Sequence, residues 1–224
     1  MTGNNAIRYL TFLLAFCAGF SDTTTFVSAD ELFSAHVTGN FIVFAYDVVK
    51  GADAQAWVKL MSFPVFIISV MTGGRIAARS KDQYRLLIWE GILLVISGAI
   101  IWVLNFKGNA SHAMLFGVSM IIVFAMGLQN AFGRIYAKET FGPTTIMTGN
   151  VTQLSLDAES FLRSSFHDTT MLASLKKHTV TIGGFLVGCL TGGISAHYVG
   201  LTGILIPGIL LLFMASGIRE VAKP

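Results

Sequence analysis

The sequence predicts an all-α polytopic membrane protein built from two inverted repeats, each with three transmembrane helices and one short re-entrant half-helix. Three observations predict it. Apolar runs of about 20 residues follow one another, each long enough to cross a bilayer core of ~30 Å as a helix. The stretch Ala35-His36-Val37-Thr38-Gly39-Asn40 recurs as Thr145-Ile146-Met147-Thr148-Gly149-Asn150. The lysines and arginines also sort most unevenly across a membrane when the runs carrying these motifs turn back instead of crossing.

Composition sets the class. The chain is 54% apolar and 12% charged, with a mean hydropathy of +0.69, whereas a soluble domain carries about 25% charged residues. The net charge of +3 does not point to nucleic acid, because the basic residues flank apolar runs. Cys17 and Cys189 lie inside such runs and read as small buried hydrophobes, without metal or disulfide spacing.

Helix 1 is expected over about Arg8 to Phe26. Its basic start and apolar body resemble a signal peptide, but Gly19 and Asp22 have counterparts in mid-chain, so it reads as a retained helix. A short run from about Thr38 to Val49 carries the first Thr-Gly-Asn motif and ends at Asp47. Lys50 to Asp53 is a turn. Helix 3 is expected over Trp57 to Ala78, containing Pro64 and Gly73-Gly74, and helix 4 over Leu86 to Leu104, with Glu90 in its first turn near the interface. Asn105 to Asn109 is a turn. Helix 5 is expected over His112 to Phe132 and a second short run over Thr144 to Leu156. A polar loop is expected from Glu159 to Lys177, then helices over Thr179 to Tyr198 and Leu201 to Ile218. The repeats divide at residues 1–107 and 108–224, within one integral membrane domain.

The internal match runs well beyond the motif. Thr38 and Thr148, like Asp47 and Asp157, are 110 residues apart. Gly19 and Gly127, like Asp22 and Asn130, are 108 apart; Gly73 and Gly192, like Gly98 and Gly217, are 119 apart. A short run of about 12 residues makes only ~18 Å of helix, too little to cross alone. If both short runs cross, the 15 basic residues divide roughly nine to six. If both turn back, only Lys50, Lys59 and Lys107 lie outside, and both termini are cytoplasmic. Each half then has three crossings, an odd number, so the halves are inverted. Such architecture is shared by many secondary transporters, whose sites lie near the bilayer midplane between the repeats.

The candidate substrate site follows from that symmetry. Thr38 and Thr148 stand at helix starts, where a hydroxyl can cap free N–H groups and the dipole favours anionic groups. Gly39 and Gly149 admit close approach, and Asn40 and Asn150 both donate and accept. The competing reading is a helix-packing notch with an internal cap. Gln129, Asn130 and His36 complete the substrate set. Asp22 is the candidate proton-coupling group, because a carboxylate within the membrane is costly and usually functional; the competing reading is an interfacial cap. Asp47 and Asp157 read as interfacial, or as partners for Lys50 or Arg163. The sequence carries no nucleotide loop, metal cluster or catalytic triad, so no cofactor and no enzymatic activity are expected.

At these motifs the chain resembles the YoaK-like family of bacterial integral membrane proteins, also called domain of unknown function 1275. The residues are Ala18-Gly19-Phe20-Ser21-Asp22, Val37-Thr38-Gly39-Asn40, Gly127-Leu128-Gln129-Asn130 and Met147-Thr148-Gly149-Asn150. The resemblance implies a bacterial inner-membrane location and supplies no substrate. The expected function is a secondary transporter for a small polar or anionic organic solute, bound between the two motifs. The alternatives are a channel-like facilitator, a lipid enzyme using Asp22, His36 and Glu90, and a non-catalytic subunit or sensor. The expected partners are the bilayer and the solute, with a homodimer left open.

Overall fold

The computed structural model describes residues 3–51, 55–108 and 111–221; Ala52, Asp53 and Asn109, assigned above to turns, lie outside these. The described residues form helices and connecting turns, with no strand. In order these are α1 (Gly3–Ser28), α2 (Gly39–Val49), α3 (Gln55–Lys59), α4 (Ser62–Arg79), α5 (Arg85–Phe106), α6 (His112–Ile135), α7 (Met147–Arg163), α8 (Thr169–Val199) and α9 (Leu205–Val221). Among the described residues, four segments are long and apolar enough to cross a membrane: Asn4–Ser28, Arg85–Phe106, His112–Ile135, and Thr169–Gly217, which joins α8 to α9. The 18-residue α4, with Arg75 and Arg79 in its last turns, is outside that set.

Small residues set the helix pairs. Gly184, Gly188 and Gly192 form one stripe on α8 and lie against the backbone of Phe12, Phe16 and Phe20 on α1. A Cβ on Gly184 or Gly192 would stand 2.6 Å from the facing carbonyl oxygen. Both series rise together, so α1 and α8 run side by side in the same direction. This is close packing of the small-xxx-small kind. On α4 and α6, Gly127 lies on Ser69 and Gly73 on Ala131, and the Ser69 hydroxyl donates to the Phe124 carbonyl; these helices also run in one direction. On α5 and α9 the order reverses, with Gly91 against Gly208 and Leu212, and Gly98 against Leu205. Around these pairs Leu94, Ile101, Ile122, Met126 and Ile204 make one apolar core, and Leu14, Leu87, Leu128 and Phe132 a second.

Several boundaries differ from the sequence reading. Helix 3 is broken into α3 and α4 at Leu60-Met61. Pro64 has no N–H and tolerates only the first turn of a helix, so the helix restarts at Ser62. The second short run is longer and more polar than expected, because α7 continues to Arg163. The polar loop shrinks because Asp168 accepts from the N–H groups of Thr170 (2.9 Å) and Met171 (3.2 Å) and so starts α8 there. At 31 residues, α8 is ~46 Å long and exceeds the bilayer core. It ends before Gly200, whose φ of 59° suits glycine, and a short 3-10 helix over Gly200–Ile204 leads into α9.

Candidate functional site

The two Thr-Gly-Asn motifs share one piece of local chemistry, and it belongs to the asparagines. Asn40 is 1% exposed. Its Oδ1 accepts from the Phe33 N–H (2.8 Å), and its Nδ2 donates to the Phe33 carbonyl (2.8 Å) and to Ser62 Oγ (2.9 Å). Asn150, 4% exposed, donates to the Pro143 carbonyl (2.8 Å) and to the Ile146 carbonyl (2.9 Å). Phe33 and Pro143 both lie seven residues upstream of their asparagine. Proline has no N–H, so Asn150 Oδ1 is available to the Nδ1 of His178, 3.2 Å away. Each asparagine therefore holds the segment that leads into its own helix.

The threonines do not cap. Thr38 stands before α2 without a side-chain bond to it, and Thr148 lies inside the first turn of α7, which begins at Met147 after Ile146. A Thr hydroxyl caps only from an extended residue, whereas Thr38 is already in helical conformation. Thr38, Thr148 and Gly149 are exposed and Gly39 is half-buried. Among the described residues, no hydrogen bond joins Thr38–Asn40 to Thr148–Asn150. Thr148 lines a surface groove on α7 with Met147, Val151, Thr152, Ser155 and Leu156.

One level above the asparagines, the end of each half's first helix binds the same upstream segment. Asp22 is 3% exposed. Its Oδ1 accepts from the N–H of Ala35 (2.5 Å), the N–H of His36 (3.3 Å) and Ser34 Oγ (3.3 Å), while its Oδ2 pairs with His36 Nδ1. Asn130 Oδ1 accepts from Thr145 Oγ1 (2.7 Å), and Gln129 Nε2 donates to Thr144 Oγ1 (2.9 Å) and to the Leu14 carbonyl (2.8 Å). Ala35 and Thr145 occupy equivalent positions. The latch is thus ionisable in the first half and neutral in the second. His36 packs edge-on to Phe185 of α8, 5.4 Å between centroids. Burial pulls its imidazole down, but the hydrogen bond and charge of Asp22 outweigh that and leave it above its ordinary value.

A third repeated pair was missed in the sequence. Lys59, 4% exposed, binds Asp47 (2.6 Å) and Asp30 (3.5 Å). Asp157 accepts from Ser174 Oγ (2.5 Å) and Gln153 Nε2 (2.8 Å) and lies 4.0 Å from His178 Nε2. The Ser174 and Gln153 hydrogen bonds hold its carboxyl below the ordinary value. Lys59 and His178 are 119 residues apart, as Gly73 and Gly192 are, so extending that offset through the polar residues would have found the pair. The expected partners are otherwise engaged: Lys50 stands over the Tyr46 ring and Arg163 pairs with Glu159. Glu90, expected near the interface, is 0% exposed, and neither carboxyl oxygen has a hydrogen-bond partner. Among the described residues no group of three or more His, Cys, Asp or Glu side chains could hold a metal ion.

Two clefts open at corresponding places. One, of about 500 Å³, lies between the end of α1 (Val27 to Asp30), Lys59 and the start of α6 (His112 to Phe116). The other, of about 410 Å³, lies between Ala137-Lys138 just past α6, Lys177, and the start of α1 (Asn4, Ile7). The end of α1 therefore adjoins the start of α6, and the end of α6 adjoins the start of α1.

No curated protein and no solved structure matches this chain. A family model described as a protein of unknown function, DUF1275, matches residues 10–217, a span that includes both Thr-Gly-Asn motifs, both latches and Glu90. The chain, an all-helical protein with four candidate membrane-spanning segments, belongs to the DUF1275 family.

Proposed function

We propose that this protein is a secondary transporter, coupled to protons, for a small polar or anionic organic solute, and that its halves are inverted repeats. The observation that carries this reading is the reversed register of α5 and α9. These are the last helices of the two halves, and Gly91 meets Gly208 and Leu212 while Gly98 meets Leu205. Equivalent helices that cross in opposite directions are what a two-fold axis in the membrane plane produces. The two clefts support the same relation, since each joins the end of one half's first helix to the start of the other's. The 11-residue α2 spans ~16 Å, and its Ile42 and Val49 are exposed, which suits a half-helix that meets lipid and turns back.

The motif asparagines are scaffold in this reading, and the solute-facing groups are the exposed Thr38 and Thr148 with their glycines. The coupling element is the latch of Asp22 on Ala35 and His36. A proton on Asp22 removes the charge that those donors stabilise, and so weakens the hold of α1 on the segment leading into α2. The neutral Asn130 latch has no such response.

The test is accumulation in proteoliposomes under an imposed pH gradient, using radiolabelled monocarboxylates and small amino acids. Gradient-driven accumulation that disappears in Asp22→Asn is expected. No accumulation of any of them removes the transporter reading; accumulation unchanged in Asp22→Asn removes the coupling role. Orientation is tested separately by labelling Lys50→Cys in a Cys17→Ser, Cys189→Ser background with an impermeant thiol reagent on intact cells. Labelling from outside is expected.

A further inference from the structure

We propose that Glu90 is the membrane-embedded proton carrier of this protein, a neutral carboxylic acid in the conformation described here that releases its proton when the α5–α9 crossing moves. This deepens the transporter reading and rests on it. The two carboxyls of the candidate membrane-spanning helices have opposite surroundings. Asp22 accepts from three donors and pairs with His36. Glu90 is 0% exposed and neither of its oxygens has a hydrogen-bond partner. An ionised carboxylate left unpaired in a low-dielectric interior is very costly. A protonated one loses only the hydrogen bonds of a neutral group, so the surroundings of Glu90 select the form that carries a proton.

Its place in the fold gives that proton a route. Glu90 adjoins Gly91, whose equivalent at the offset of 119 is Leu210. Gly91 packs on Gly208 and Leu212, which bracket Leu210. Helices α5 and α9 therefore cross next to Glu90, and the two halves meet there. Rocking of one half against the other, the usual course of alternating access, shifts this contact together with the α1–α8 and α4–α6 contacts. The groups that bear on Glu90 are few. Cys17 of α1 lies within its electrostatic reach, with its thiol 3.8 Å from the Pro207 carbonyl. Between Leu205 and Gly217 α9 has no ionisable side chain, and between Ala113 and Gly133 α6 has none. On α4 the ionisable groups are Arg75 and Arg79, in its last turns; on α5 itself the other is Arg85, at its start. The other ionisable side chains of α1 are Arg8, Tyr9 and Asp22, and among the described residues no Lys, Arg or His forms an ion pair with Glu90.

The first test needs no solute. Dicyclohexylcarbodiimide reacts with a protonated carboxyl in an apolar site, the O–H adding across one C=N bond to give an O-acylisourea that rearranges to a stable N-acylurea. Purified protein in lipid, treated across a range of pH and mapped by mass spectrometry, is expected to be modified at Glu90, with modification declining as pH rises. Infrared spectra are expected to contain a protonated-carboxyl C=O band that is lost in Glu90→Gln and retained in Glu90→Asp. An unmodified Glu90, or a band unchanged in Glu90→Gln, overturns the proposal. The second test is transport. Glu90→Gln is expected to abolish gradient-driven accumulation while retaining solute exchange between equilibrated compartments, which also shows that the variant folds. Gradient-driven accumulation intact in Glu90→Gln overturns the carrier role and leaves the transporter reading standing. Wild-type protein that accumulates nothing overturns the transporter reading, and the carbodiimide result then decides alone whether Glu90 holds an exchangeable proton.

Discussion

Asn40 binds both the N–H and the carbonyl of Phe33, each at 2.8 Å, and so closes a seven-residue loop onto the start of α2. The second half keeps the carbonyl bond at Pro143 and has lost the N–H bond for want of a donor. Replacing Asn40 by Ala removes three buried hydrogen bonds and leaves the Phe33 groups without this partner. An unsatisfied buried group costs about 1–3 kcal/mol, so Asn40→Ala is expected to lower the melting temperature in detergent more than Asn150→Ala does. Asn40→Asp, which keeps only the acceptor and sets a buried carboxylate against the Phe33 carbonyl, is expected to destabilise at least as much as Ala. Equal effects at the two asparagines would contradict the asymmetry that Pro143 imposes.

The α1–α8 contact is the next sensitive element, because it holds the helix that carries Asp22. Gly188 and Gly192 face carbonyl groups of α1 rather than flexible side chains, so an added methyl group is accommodated only by moving backbone. Overpacking of this kind costs about 1–3 kcal/mol. Gly192→Ala is expected to destabilise the purified protein by that order. Gly183→Ala, on the same helix with open space around it, is expected to be neutral. Thermal melts of the three proteins in one detergent decide it.

Helix positions and the internal duplication are legible in the sequence because both rest on patterns within the chain. Apolar length locates α1, α5, α6 and α8–α9, and three constant offsets pair the halves. What the motif residues do is not legible, since an Asn in Thr-Gly-Asn reads equally well as a solute ligand or as a loop clamp. The bonds from Asn40 to Phe33 and from Asn150 to Pro143 appear only once the chain is folded. The full burial of Glu90 is not legible for a similar reason: its distance from the start of α5 is local information, while its burial depends on helices elsewhere in the chain. The α8 glycine stripe is legible as Gly184-x-x-x-Gly188-x-x-x-Gly192, but the backbone it faces is not.

The Lys59–Asp47 pair and its relative at Asp157 separate by pH and by mutation. Removing one partner of a buried ion pair strands the other, at a cost on the order of 3 kcal/mol. Asp47→Asn and Lys59→Met are each expected to destabilise, and the double variant by less than the sum of the two. At Asp157 the folded carboxyl titrates below its ordinary value, held by Ser174 and Gln153. Its contribution is therefore present above the ordinary carboxylate pKa of about 3.9 and is lost as pH falls through the folded value. Ser174→Ala is expected to flatten that acid limb of the stability profile. Additive single-variant effects, or an acid limb unchanged in Ser174→Ala, would count against these pairings.

The Asp22–His36 latch gives a pH dependence of the opposite sign. The folded imidazole sits above its ordinary value because the hydrogen bond and charge of Asp22 outweigh the effect of burial. Folding therefore favours protonated His36 more than the unfolded chain does. The linked stabilisation is fully present below the ordinary histidine pKa of about 6.5 and is lost as pH rises through the folded value. Melting of the wild type in lipid nanodiscs, compared with His36→Gln, is expected to show an advantage at about pH 6 that shrinks on the alkaline side. Asp22→Asn is expected to abolish this difference, because it converts the first latch into the neutral form already found at Asn130. The same residue change then has two readouts, a lost pH slope in stability and a lost pH-driven accumulation. If the slope disappears while accumulation persists, Asp22 fastens the loop before α2 without coupling it to protons. If both disappear, the Asp22–His36 latch is an element that the transport cycle uses.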